Sequence, residues 1–351
     1  MNGRIVFGSQ KGFNWALQQG ERCAPNVSGS ETLIMTRGAT QMNPKFGKIA
    51  VFLVCLLLAA QAASAQEKIK ALIVDGQNNH NWKGTSPVLR QILEESGRFT
   101  VDTATAPEKP GDNQKGDPEA MATYKKRMAD FKPDFTKYDV VVMNYNGDAW
   151  PEETKKAFEQ YVADGGGLVI FHAANNAFAD WPEYNEMIAI GGWGGRNEKS
   201  GPYLYWEDGK IVRNTEPGGG GHHGPQWEFL LEVRETEHPI MKGLPKTFRH
   251  AQDELYDLLR GPAKNVTILA TAFADKEKGG SGRHEPQLLV IDYGKGRVFH
   301  TCLGDNPNPC KSVSFIITLL RGTEWAATGK VTIPIPDDMP GADKPVMRKF
   351  D

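Results

Sequence analysis

Three consecutive glycines, Gly165-Gly166-Gly167, run directly into Leu168-Val169-Ile170-Phe171 and then His172. The glycines stop the helix before them. Four apolar residues between turn signals are too few for a helix and read as a buried strand. That strand ends in His172-Ala173-Ala174-Asn175, a turn of small residues. In an open α/β sheet, ligands bind outside the carboxyl ends of the strands. His172 therefore stands where chemistry is expected, and the question is what converges on it.

The chain leading to this strand alternates. Ile69 to Val74 is an apolar run closed by Asp75-Gly76. A helix capped by Thr85 and opening near Pro87 follows, stopped by Gly97. Phe99 to Val101 is a second strand, and residues 106–118 form a solvated loop. Met121 to Phe131 is a short helix, Tyr138 to Met143 a strand, and Pro151 to Asp164 an amphipathic helix. This βαβαβαβ order predicts a parallel sheet with helices on both faces and right-handed crossovers. After His172 the pattern loosens. Trp181 to Ile188 suits a short helix, and glycine-rich loops fall at residues 191–196 and 214–227. Strands are expected at Phe229–Val233, Val266–Thr271, Gln287–Asp292 and Gly296–Leu303, the last pair joined through Gly294. Phe315 begins a C-terminal helix, and the tail from Val331 is expected to be extended.

A formal net charge of −2 over 351 residues gives no reason to expect nucleic acid or an anionic membrane as partner. Residues 49–60 are uncharged and apolar, preceded by Lys45 and Lys48 and followed by Ala63-Ser64-Ala65. That is the pattern of a secretory signal peptide over 42–65, cut after Ala65. The run is too short for a transmembrane helix, so no stable membrane insertion is expected after cleavage. Residues 1–41 read as a misassigned start or as an extension before the signal. The expected location is exported, periplasmic or extracellular, which permits a Cys302–Cys310 disulfide; buried thiols are the alternative.

Several constellations carry chemistry. His80, Asn144, Asn146 and His172 all follow strands and can share one crevice, although asparagine also simply favours turns. The turn after the fourth strand holds no Cys and no Ser, which argues against a thiol or hydroxyl nucleophile there. Loop histidines, with Asp253, Glu254, Glu285 and Asp305, could hold a divalent metal, but no His-x-x-x-His or Cys-x-x-Cys spacing marks one. The adjacent His222 and His223 suit a ligand-gripping loop or an ordinary flexible turn. Asp253-Glu254 can split acid and base roles. Neither nucleotide-binding glycine signature is present. Trp82, Trp181, Trp193, Trp206 and Trp227 fall in loops, where aromatic faces beside polar groups suit sugars.

The segments Asp75–Trp82, Tyr138–Asn144, Phe158–Phe178, Gly191–Gly195, His238–Pro245, Asp253–Tyr256 and Tyr293–Gly304, in this order, resemble the ThuA-like (trehalose-utilisation) family over residues 68–326, with 327–351 left as a tail. The resemblance implies a single α/β domain with long loops. Its fold would be the flavodoxin-like, doubly wound, mostly parallel sheet of the class I glutamine amidotransferase-like proteins, without their cysteine. It also implies a link to disaccharide or keto-sugar metabolism. The family's recurrent polar positions match His80, His172, His238, Asp253, Glu254 and Arg297. Where the family often closes with Leu-Gly-His, this chain has Leu303-Gly304-Asp305.

The combined expectation is an exported protein that acts on or binds a small carbohydrate. His172 would be base or ligand, with Asp253 and Glu254 as acid/base or orienting partners. His80, Asn146, Asn175, Trp193, Arg196, His222 and His223 would contact the sugar. A non-catalytic sugar-binding protein and a metal-dependent hydrolase are the alternatives. No oligomeric state follows.

Overall fold

A computed structural model describes residues 67–114 and 116–350. The expected signal peptide and residues 1–41 lie outside them. The parallel half of the sheet is built from β1 (Ile69–Asp75), β2 (Phe99–Thr105), β3 (Val140–Met143), β4 (Gly167–Phe171) and β13 (Gly296–Thr301). They lie in the order β2-β1-β3-β4-β13, each pair parallel. Beyond β13 the sheet continues antiparallel through β12 (His284–Tyr293), β11 (Val266–Phe273), β8 (Trp227–Val233) and β9 (Thr247–Asp253). A hairpin of β5 (Tyr203–Glu207) and β6 (Lys210–Asn214) hangs from β12, making eleven strands. Two short strands, β7 (His222–His223) and β10 (Tyr256–Asp257), pair apart from the sheet.

Side-chain alternation explains the two cores. Ile69, Ala71 and Ile73 point to one face of β1, Leu72 and Val74 to the other. The first set packs under α1 (Trp82–Glu95) and α5 (Val313–Thr328). The second packs under α2 (Pro118–Ala129), α3 (Glu152–Ala163) and α4 (Pro182–Ile188), with Tyr124, Phe158 and Tyr184 buried. This is the doubly wound α/β arrangement. Among the described residues no helix is long and apolar enough to cross a membrane.

The organising glycines have distinct physical reasons. Gly165 has φ +120°, ending α3, and a Cβ on Gly167 would sit 2.7 Å from the Ala326 backbone, so β4 lies directly on α5. Helix α1 starts earlier than the Thr85–Pro87 reading placed it. Asn81 is the cap, its Oδ1 accepting from the Gly84 N–H at 3.0 Å, and Pro87 lies inside the helix. Thr85 is instead turned back, its hydroxyl donating to the Asn81 carbonyl. Cys302 and Cys310 are both buried free thiols.

Candidate functional site

The site forms where β1 and β4 end. His172 has φ +41°, a strained conformation for a residue with a side chain, and is 1% exposed. Its Nδ1 lies 2.7 Å from the Cys302 carbonyl, brought alongside by the β4–β13 pairing of Phe171 with Thr301. A carbonyl only accepts, so Nδ1 carries the hydrogen, and in the neutral ring Nε2 presents a lone pair. That Nε2 faces Glu254 Oε2 at 3.6 Å. Both atoms are buried and neither has a hydrogen-bond partner.

Glu254 arrives from the far end of the sheet. The chain leaves β9 and turns back into β10, where Gln287 Nε2 donates to the Tyr256 carbonyl at 2.8 Å. This brings the Tyr256 ring to 4.3 Å from the His172 ring. The Tyr256 hydroxyl reaches His80 Nε2 at 3.2 Å, and the His80 ring stands edge-on to His172 at 4.7 Å. The first turn of α1, which follows His80, is tied down by Asn144, whose Nδ2 donates to Thr85 and Ser86. The β7–β10 pairing sets His223 opposite Tyr256. His223 Nδ1 donates to the Gly224 carbonyl at 2.8 Å, which leaves Nε2 facing Glu254 Oε2 at 3.8 Å. Trp193, also at positive φ (+52°), closes the wall 4.9 Å from Tyr256.

The electrostatics favour an ion pair between His172 and Glu254. Burial alone would lower the His172 pKa, but Glu254, Asp253 and the Cys302 carbonyl together raise it. Burial alone would raise that of Glu254, but His172, His223 and His80 hold it below the usual carboxylate range. His80 is pushed down to about 4 by burial and by the neighbouring His172. One residue further from the pair, Asp305 is pushed up to about 7 by burial and by Asp253. His80, His172 and Glu254 each offer one metal-ligating atom, all within 4.8 Å of one another.

Other expected site residues are placed differently. Asp253 is fully buried, and its carboxylate accepts from His250 Nε2 and from the Glu254, Gly304 and Asp305 N–H groups. With four donors bound, it positions Glu254. His250 also meets Ser314 Oγ at 2.9 Å, a Ser-His-Asp geometry, but all three are buried and tie β9 to α5. Arg196 uses all five N–H groups on Asn185 Oδ1 and on the carbonyls of Asn176, Ala177 and Gly192, leaving no donor for a ligand. Asn175 turns into the core and donates to His300 Nε2 at 3.0 Å. Asn146 donates to Asn79 Oδ1, and His222 pairs with Asp257 at 2.7 Å. His238 packs on Trp325, and Arg297 binds the last carbonyls of α5, both as parts of the scaffold. Tyr256, which contacts both His172 and His80, was not singled out as a site residue by the sequence. Tyr256 stands in the Asp253–Tyr256 segment that carries the resemblance, and that was its only signal.

A doubly wound sheet with a histidine, and no cysteine or serine, in the turn after β4 defines a class I glutamine amidotransferase-like fold without the thiol nucleophile. The chain belongs to the ThuA family, described as trehalose utilisation, which matches residues 70–326. A ThuA-like protein from Parabacteroides merdae ATCC 43184 is 50% identical, with a TM-score of 0.74 over 80% of this chain and 98% of that one. A ThuA-like protein from Bacteroides uniformis ATCC 8492 is 20% identical, with a TM-score of 0.45 over 78% of this chain and 96% of that one. A β-galactosidase from Rahnella sp. R3 is 16% identical, with a TM-score of 0.40 over 79% of this chain and 34% of that one. Among curated proteins none matches.

Proposed function

We propose that this chain is an exported enzyme that transforms a disaccharide or a keto-sugar derivative in the crevice at the ends of β1 and β4. The observation that carries the reading is the buried pair of His172 Nε2 and Glu254 Oε2, 3.6 Å apart and each without a hydrogen-bond partner. Two opposed lone-pair atoms withheld from water favour a proton or other cation between them, and so form a reacting pair. The partly exposed Trp193 ring, backed by Tyr256, supplies an apolar face for a sugar. The family's association with trehalose utilisation supports a sugar as the substrate class. The apolar run and Ala63-Ser64-Ala65 support export.

The test is a turnover screen of disaccharides and their oxidised forms with residues 66–351. His172→Ala should lower turnover by about 100-fold or more while the chain still folds. Full turnover by that variant would overturn the assignment, and saturable sugar binding with no product would make the chain a binding protein. Export is tested on its own by sequencing the amino terminus of the secreted product. Gln66 is expected first; an uncut amino terminus would end that part of the proposal.

A further inference from the structure

We infer that His80, His172 and Glu254 form a site for a divalent transition-metal ion, with His223 as an adjacent fourth donor. His172 and His223 each give Nδ1–H to a backbone carbonyl, of Cys302 and of Gly224, and so each presents Nε2 as a lone pair. The His80 ring faces the Tyr256 hydroxyl with Nε2 at 3.2 Å. Ring nitrogens fixed from behind by a carbonyl are the arrangement that orients histidine toward a metal.

The distances suit a small dication. Tetrahedral bonds of about 2.1 Å put neighbouring ligand atoms about 3.4 Å apart. His172 Nε2 and Glu254 Oε2 are 3.6 Å apart, and the ligand atoms of the three residues lie within 4.8 Å, so a modest closing movement completes the set. A shared proton would satisfy His172 and Glu254 alone. It would leave His223 Nε2, 3.8 Å from the same carboxylate oxygen, without a role. The donors are imidazole and carboxylate, which suits zinc and its neighbours rather than calcium or magnesium. Cys302 Sγ is turned away, toward the Pro286 carbonyl and His300. Ions have a way in, since the Glu254 and His223 side chains are 15% and 36% exposed.

Zinc can expand from four ligands to five, and at the fifth position it would polarise a hydroxyl or carbonyl oxygen. In that respect the inference deepens the sugar reading. The binding test contains no sugar, so the two can fail separately.

The experiment is a calorimetric titration of tag-free, chelator-stripped residues 66–351 with Zn2+, alongside His172→Ala, Glu254→Gln and His284→Ala, with folding checked by circular dichroism. One Zn2+ per chain is expected. Each of the first two variants should weaken binding by about 100-fold or more, and His284→Ala should leave it unchanged. Co2+ loading should give visible absorption bands that Glu254→Gln loses. Absence of saturable binding by the folded chain, or full binding retained by Glu254→Gln, would overturn the site. Glu254→Gln alters little volume, so it decides the matter even if His172→Ala fails to fold.

Discussion

His300 shows how a single buried residue can set the acid limit of the fold. Its Nδ1 donates to the Ile188 carbonyl at 2.9 Å, and its Nε2 accepts from Asn175 at 3.0 Å. Only the neutral ring can do both, and burial pushes its pKa down to about 4. Between pH 6.5 and 4 the unfolded chain therefore binds more protons at this position than the folded one. The stability contributed by neutral His300 is complete above pH 6.5 and is lost as pH falls toward 4, by about 3 kcal/mol. Urea unfolding of the wild type and of His300→Gln across that range tests this. The variant should show a flatter acid-side dependence, and equal slopes would refute the assignment. The same residues mark what the sequence could convey. His172, Glu254, His80 and His223, which the structure brings together, all stood among the residues the sequence singled out, because each is a polar group placed at or after a strand end or in a loop. That Arg196 and Asp253 serve the scaffold was not legible, because most of their partners are backbone groups that only the folded chain brings near.

Elements were legible where local chemistry decided them. Period and turn signals marked the parallel strands and their helices, since each is closed by residues adjacent in sequence. The β5–β6 hairpin was missed although Asp208-Gly209, both at positive φ (+49° and +75°), is a strong two-residue turn signal between Tyr203–Glu207 and Lys210–Asn214. Neither strand alternates cleanly between apolar and polar residues. The loop that carries His222 and His223 depends on another glycine. Gly221 has φ +90°, and a Cβ there would lie 2.6 Å from Gly192 Cα and 2.7 Å from the Trp193 nitrogen. Gly221→Ala should cost about 1–3 kcal/mol and push the Trp193 and His223 walls apart. Gly219, with open space around it, is the control. Thermal unfolding should separate the two alanine variants; equal melting temperatures would show that the loop absorbs the change.

At the scale of the whole molecule, the tail and the site are joined through α5. Glu324 on that helix accepts from the Thr332 and Ile333 N–H groups, the Thr332 hydroxyl and Arg98. Arg321 on the same helix donates to the carbonyls of Pro239, Ile240, Lys242 and Ile333. Further along, the Gly341 carbonyl accepts from the Arg249 N–H, and Val346 accepts from Val313 at the start of α5. The next residue of α5, Ser314, reaches His250, then Asp253 and so Glu254. The tail is thus bound to the molecule by polar groups that the interior needs paired. Glu324→Ala removes a buried carboxylate that several donors share and should cost about 3–5 kcal/mol. Deleting residues 331–351 removes three of those donor bonds and one Arg321 acceptor, so it should destabilise as well. Because the two changes break overlapping bonds, their combination should cost less than the sum of the single effects. Urea unfolding of the two variants and the combined one measures this coupling. Strict additivity would mean that the tail stabilises the fold through contacts independent of Glu324, and that its connection to the site runs by another route.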